Sequence, residues 1–119
     1  MASLNRLLVV GSIAIMLAGC SGGSTSSRFE QTWTKSYANT TCADWNDDMT
    51  SDQQRVAAAD MLTSARDVDG IEPALPDDVL IADFQQEVTT ACSARAPSRL
   101  VITEVAAGVY VIDKRNWRK

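Results

Sequence analysis

Three cysteines, Cys20, Cys42 and Cys92, constrain this chain of 119 residues more than any other feature of its sequence. The chain has no Cys-x-x-Cys pair and no histidine, so a reactive dithiol or a zinc site has little support. Cys42 and Cys92 lie about 50 residues apart, and a bond between them would enclose much of a small domain. Whether they pair depends on the redox state of the compartment, which the residues before Cys20 indicate.

The N-terminal residues have the features of a bacterial lipoprotein leader. A positive residue, Arg6, precedes an apolar region of 11 residues from Leu7 to Leu17, which is interrupted only by Gly11 and Ser12. This run is shorter than the roughly 20 residues that are needed to span a bilayer. The segment Leu17-Ala18-Gly19-Cys20 resembles the lipobox, at which a diacylglyceryl group is joined to the cysteine and the leader is removed. We expect a signal peptide over residues 1–19 and a lipid (palmitate) anchor on Cys20; an ordinary secretory signal or a short membrane anchor is the alternative.

The leader predicts where the protein resides and how its cysteines pair. A lipid on Cys20 would hold the chain in the bacterial cell envelope, on the outer face of the cytoplasmic membrane or on a periplasmic membrane face. There, Cys42 and Cys92 are most simply explained as a disulfide, which the chain-entropy treatment values at roughly 4 kcal/mol. Residues 20–40, which begin with a Ser/Gly-rich run, are expected to tether a domain over residues 41–113. A domain of this size often needs a covalent link to be stable.

Charge is distributed unevenly after the leader. From residue 20 onward, 10 Lys and Arg side chains stand against 15 Asp and Glu side chains, a formal net charge of -5. Residues 44–87 carry twelve acidic and two basic side chains, whereas residues 95–119 carry six basic and two acidic ones. Because the chain is acidic as a whole, nucleic acid is not an expected partner. The basic tail over residues 114–119 is expected to be mobile, or to contact anionic lipid head groups with the help of Trp117.

Apolar residues recur at helical spacing and predict an all-α domain, a small bundle of about four helices held by one disulfide. Capping boxes predict helix starts at Thr41-Cys42-Ala43-Asp44 and at Ser51-Asp52-Gln53-Gln54. Pro76-Asp77-Asp78 predicts a third start, and Gly70 a helix stop. The predicted buried positions are Cys42, Trp45, Met49, Ala58, Met61, Leu62, Ala65, Leu80, Ile81, Phe84, Val88, Ala91, Cys92, Ile102, Val105, Ala106, Val109 and Ile112.

Residues 100–112 admit two interpretations. Their apolar spacing fits a helix, with Ser98 as its cap. They are also rich in β-branched residues, and Ala106-Ala107-Gly108 would suit the turn of a β-hairpin. We favour the helix and keep the hairpin as the alternative.

No catalytic, metal-binding or cofactor-binding residues are predicted. Asp44, Asn46 and Asp48 occupy the first, third and fifth positions of an EF-hand-like loop. However, Met49 stands where the loop needs glycine, and Arg55 stands where a glutamate should close the site. Since histidine is absent, the commonest base for activating a serine or thiol is also absent. The sequence therefore favours a protein that is not an enzyme.

Residues 41–112 resemble the HdeA-type acid-stress chaperone family. The resemblance depends on Thr41-Cys42 at the start of the first helix, on Cys92 at the end of Val88-Thr89-Thr90-Ala91-Cys92, and on the helical domain between and after them. It implies a small disulfide-bonded helical protein of the bacterial envelope that rearranges in acid and holds unfolding clients through exposed apolar surface. The expected partners are therefore unfolded or envelope proteins.

The composition decides how such a response would work. Without histidine, the response must come from carboxylates that titrate near about pH 4. Their protonation would change the net charge from -5 to about +10, and self-repulsion would loosen a thin core. The second hypothesis is a constitutive binding module without chaperone activity, which docks on an envelope partner through the acidic face around Asp44 to Asp52 or through the basic tail.

Overall fold

The computed structural model describes residues 30–94 and 96–119 of the chain. The predicted leader, the lipobox and Cys20 lie outside the described residues. A 3-10 turn at Tyr37–Asn39 precedes five helices: α1 Cys42–Asp47, α2 Ser51–Val68, α3 Asp78–Ala94, α4 Ile102–Ile112 and α5 Lys114–Trp117. The described part contains no strand, only an isolated antiparallel bridge between Thr41 and Val101. The all-α prediction is thus confirmed, and residues 102–112 form a helix rather than a hairpin.

Helix α1 begins at the capping box that the sequence predicts. The Thr41 Oγ1 accepts a hydrogen bond from the Asp44 backbone N–H at 3.2 Å, and the Asp44 carboxylate accepts one from the Thr41 N–H at 3.1 Å. Two of the backbone donors that a helix start leaves unpaired are satisfied in this way. Six residues are too few for a helix that is stable alone, so α1 depends on this cap and on its tertiary contacts.

The N-cap of helix α2 lies one residue earlier than predicted. Thr50, not Ser51, is the N-cap, and its reciprocal partner is Gln53. The neighbouring Gln54 does not cap the helix. Its side-chain amide donates to the Trp45 backbone oxygen at 2.7 Å and joins α2 to α1. The helix stops as expected before Gly70, whose φ of +75° is the left-handed conformation that glycine adopts without strain.

Helix α3 is the central element of the domain and contacts α1, α2 and α4. It begins at Asp78, where the Asp77 carboxylate accepts from the Leu80 N–H at 2.9 Å, so Pro76 precedes the helix rather than standing in its first turn. All six of its predicted core positions are buried: Leu80, Ile81, Phe84, Val88, Ala91 and Cys92. On α2 the prediction holds for Ala58 and Leu62, but Met61 and Ala65 stay partly exposed because they line a groove.

Helix α4 buries four of its five predicted positions, namely Ile102, Val105, Ala106 and Val109. The prediction for Ile112 is wrong, since this side chain is 79% exposed at the end of the helix, and Trp117 packs on the core instead. The prediction for Ser98 is also wrong. Val101 is the N-cap and makes no side-chain bond, while the Ser98 backbone oxygen accepts from the Ala43 N–H at 2.9 Å.

The C-terminal segment, residues 113–119, is folded onto the domain. The chain turns at Asp113 into the short helix α5, and Trp117 is only 3% exposed. Its indole stacks edge-to-face on Phe84 with ring centroids 5.1 Å apart, and its Nε1–H donates to the Val109 backbone oxygen at 3.1 Å. The prediction of a mobile tail is therefore wrong, because an amphipathic aromatic side chain gains more by covering the core than by staying in water.

Within residues 30–94 and 96–119, no helix combines the length and the apolar character that crossing a membrane requires.

Candidate functional site

The disulfide joins α1 to the last turns of α3. Cys42 and Cys92 are bonded with their Cα atoms 5.1 Å apart, which confirms the predicted pairing. Both cysteines are buried, at 0% and 4% exposure. Since thiol exchange needs an accessible sulfur, this bond has the character of a structural link rather than of a redox site.

Arg66 is buried and attaches the C-terminal segment to the core. The residue is 2% exposed, and its guanidinium donates to backbone oxygens of Pro73 at 2.7 Å, Ala74 at 2.9 Å, Trp117 at 2.8 Å and Lys119 at 2.9 Å. No carboxylate side chain among the described residues forms an ion pair with it. The sequence pattern contained one overlooked signal for this role: Arg66 follows Ala58 and Leu62 at steps of four residues, on the buried face of α2.

Asp69 forms a second attachment for the same segment. Its Oδ2 accepts from the Tyr110 hydroxyl at 2.8 Å and lies 3.5 Å from Lys114 Nζ and 3.9 Å from Arg118 Nε. The hydrogen bond from Tyr110, together with the nearby positive charges, lowers the pKa of the Asp69 carboxyl below its usual value. Burial and the same hydrogen bond raise the pKa of Tyr110. The end of α2, helix α4 and the C-terminal segment thus meet at one carboxylate.

A groove of about 380 Å³ lies between α2 and α4, and we name it the α2–α4 groove. Its lining is mostly apolar or small: Tyr37, Asp60, Met61, Ser64, Ala65, Phe84, Thr103, Ala106 and Ala107. The Tyr37 hydroxyl donates to Asp60 Oδ2 at 2.8 Å and accepts from the Gln31 amide. Burial and the bond to Asp60 raise the pKa of Tyr37 well above its usual value, so the phenol remains a donor. The sequence pattern did not indicate this groove, because its lining comes from four separate parts of the chain: the 3-10 turn, α2, α3 and α4.

The acidic face around Asp44 to Asp52 is only partly available as a surface. Asp44 is occupied, since it caps α1 and lies 2.9 Å from Lys35 Nζ, and the bond from Lys35 lowers the pKa of its carboxyl. Asp47, Asp48 and Asp52 are exposed to solvent. Among the described residues, no group of three or more His, Cys, Asp or Glu side chains is placed to hold a metal ion. In the other proposed surface, the basic tail, Trp117 is buried against the core and is therefore not available to a partner.

Comparisons with protein-family models, with curated proteins and with solved structures found no match to this chain. The HdeA-type resemblance of residues 41–112 therefore stays a prediction, and the function must be argued from the domain itself.

Proposed function

We propose that this chain is a lipid-anchored protein of the bacterial envelope that holds unfolding polypeptides after acid has loosened its helical domain. The proposal takes up the HdeA-type resemblance and the predicted lipid on Cys20. The observation that carries it is the attachment of the C-terminal segment, in which Trp117 covers the apolar Phe84 while the carboxylate of Asp69 holds the segment in place.

Asp69 makes this attachment sensitive to acid. The pKa of its carboxyl is lower in the folded domain than in the unfolded chain, so ionised Asp69 stabilises the fold above the usual carboxyl pKa. This contribution is lost as the pH falls through the lowered pKa. The groups that face it are Tyr110 of α4 and Lys114 and Arg118 of the C-terminal segment. Asp69 is the carboxyl of this cluster, so its protonation removes the negative charge that faces the two cationic side chains.

Acid also weakens the contacts of a second carboxylate, Asp44. The lowered pKa of Asp44 means that the cap of α1 and its pair with Lys35 also lose stability as the pH falls. Residues 44–87 would at the same time lose the negative charge of twelve acidic side chains, leaving the domain with a large positive charge.

The result would be partial loosening rather than complete unfolding. Release of the C-terminal segment would uncover Phe84, Val109 and the indole of Trp117, which together form apolar surface for a client. The disulfide between Cys42 and Cys92 has no titratable proton and would keep α1 and α3 joined.

A pH titration tests this proposal. The protein is the chain from position 20 onward, with Cys20→Ser and exported behind a cleavable secretory leader. Apolar-dye fluorescence and the light scattering of an acid-unfolded client are followed between neutral pH and about pH 2. We expect dye binding and suppression of client aggregation to rise together in acid, and Asp69→Asn to move both transitions to higher pH.

The matched control is Asp67→Asn, which removes the same charge from an exposed position two residues earlier on α2. It should leave both transitions where the unaltered chain has them. A domain that stays closed at about pH 2, with no dye binding and no effect on the client, would show the proposal to be wrong.

The anchor is tested separately, on the full chain produced in a bacterium. We expect the mass of the N-terminal peptide to show a diacylglyceryl group on Cys20, and Cys20→Ser to move the protein out of the membrane fraction. An unmodified Cys20 in the membrane fraction would contradict lipid anchoring without bearing on the acid response.

A further inference from the structure

The α2–α4 groove exists because small side chains face each other across it. Ser64 and Ala65 on α2 and Ala106 and Ala107 on α4 cannot fill the space between the two helices, and Phe84 forms the floor. The resulting volume of about 380 Å³ lies at the small end of the range for ligand pockets. It has room for one or two bulky apolar side chains, which is the scale of an anchor residue rather than of a whole protein interface.

The lining of the groove includes one acidic side chain. Asp60 is the only charged side chain among the described residues that line the groove, and it is exposed to solvent. The Tyr37 hydroxyl holds Asp60 Oδ2 at 2.8 Å, whereas Oδ1 accepts no hydrogen bond from the described residues. A carboxylate oriented in this way, next to an aromatic ring and an apolar groove, suits a cation on an apolar stem.

From this geometry we infer that the folded domain binds cationic amphipathic segments of other polypeptides in the α2–α4 groove. A bulky apolar side chain of the segment would enter the groove over Phe84, while a neighbouring Lys or Arg would pair with Asp60 and lie against Tyr37. Charge complementarity selects this occupant, because residues 44–87 carry twelve acidic and two basic side chains and would repel an acidic segment. The activity belongs to the closed domain at neutral pH, so it is separate from acid-dependent holding and can fail or succeed independently of it.

The test uses the chain from position 20 onward with Cys20→Ser, at neutral pH and low salt. The probe is a peptide of about 15 residues in which leucine and lysine are placed to form an amphipathic helix. Backbone amide shifts locate its binding site, and a titration gives its Kd. We expect shifts to be concentrated at residues of the groove, and a counterpart peptide with glutamate in place of lysine not to bind.

Two pairs of variants make the test specific. Asp60→Asn should raise the Kd of the leucine-lysine peptide by about fivefold. Asp52→Asn, which removes the same charge near the start of α2, should have little effect on this Kd. Ala107→Trp should fill the groove and abolish peptide binding. Ala82→Trp is its control: it places the same bulk on the exposed side of α3 and should leave peptide binding unchanged.

Four outcomes would overturn the inference. Equal weakening by Asp60→Asn and Asp52→Asn would show general charge attraction without a site. Binding of the glutamate peptide would show that the domain does not select for positive charge. Peptide binding that survives Ala107→Trp would show that the binding site lies outside the groove. Backbone amide shifts at residues of the groove that appear when the protein concentration is raised without peptide would show that a second copy of this chain occupies the groove.

Discussion

At the scale of single residues, Arg66 shows how a positive charge can be buried with main-chain oxygens, rather than Asp or Glu side chains of the described residues, as its partners. A buried guanidinium is costly unless its donors are satisfied, and here they bond to backbone oxygens before α3 and in the C-terminal segment. One side chain thereby connects positions that are 51 and 53 residues away from it in the sequence. Its role is to hold the C-terminal segment on the domain rather than to bind a partner at the surface.

We expect Arg66→Met to destabilise the domain by about 3 kcal/mol, because several buried backbone oxygens lose their charged donor at once. The measurement is the free energy of unfolding from denaturant titration at neutral pH. Arg55→Met is the control on the same helix: Arg55 lies 3.0 Å from Asp78 at the surface, where such a pair is worth about 1 kcal/mol or less. Equal losses in the two variants would contradict the role assigned to Arg66.

At the scale of elements, the way in which a helix begins differs from one helix to the next. α1 and α2 each begin with a reciprocal capping box, α3 begins with an aspartate cap, and α4 begins without any side-chain cap. The start of α4 is held by tertiary contacts instead, since the Ile102 N–H donates to the Thr40 oxygen and the Cys42 N–H to the Leu100 oxygen, both at 2.8 Å. The two helix starts therefore support each other.

Two glycines should respond in opposite directions to alanine. Gly70→Ala should destabilise the domain by about 1 kcal/mol, because its φ of +75° strains any residue with a Cβ. Gly108→Ala should stabilise it by about 0.5 to 1 kcal/mol, because Gly108 lies inside α4 and helix interiors favour alanine. Apart from atoms of the neighbouring residues and of the surrounding helix backbone, no atom of the described residues lies within 4 Å of either added methyl group, so a clash with other parts of the fold does not enter the comparison. Thermal unfolding of both variants gives the signs, and two shifts of the same sign would refute this account.

At the scale of the whole molecule, α3 organises the domain. It packs on α1, α2 and α4, provides Phe84 as the support for Trp117, and carries Cys92. The disulfide adds a covalent link between α3 and α1, which alone has only six residues. Small domains have few apolar contacts to lose, so this link carries a large part of the stability.

Reduction should therefore have a large effect. The bond spans 50 residues, and we expect reductant to lower the free energy of unfolding by about 4 kcal/mol through the entropy of the unfolded chain. Denaturant titrations with and without reductant measure the loss. A chain with Cys42→Ala and Cys92→Ala is the control, and reductant should not change its stability. A loss below about 1 kcal/mol in the disulfide-bonded chain would mean that packing alone holds α1 in place.

By itself, the sequence determined the helical class, the pairing of Cys42 with Cys92, the Thr41 cap and the buried face of α3. The helical features depend on spacings of three or four residues, and the cysteine pairing was inferred from the predicted leader, so both could be predicted without knowing which elements meet. Only the tertiary structure decided that Trp117 covers Phe84, that the Arg66 guanidinium bonds to the C-terminal segment and that Asp69 holds this segment. The α2–α4 groove was likewise beyond prediction. Each of these contacts joins residues far apart in the chain, and the free energy that selects them comes from packing and charge burial between elements.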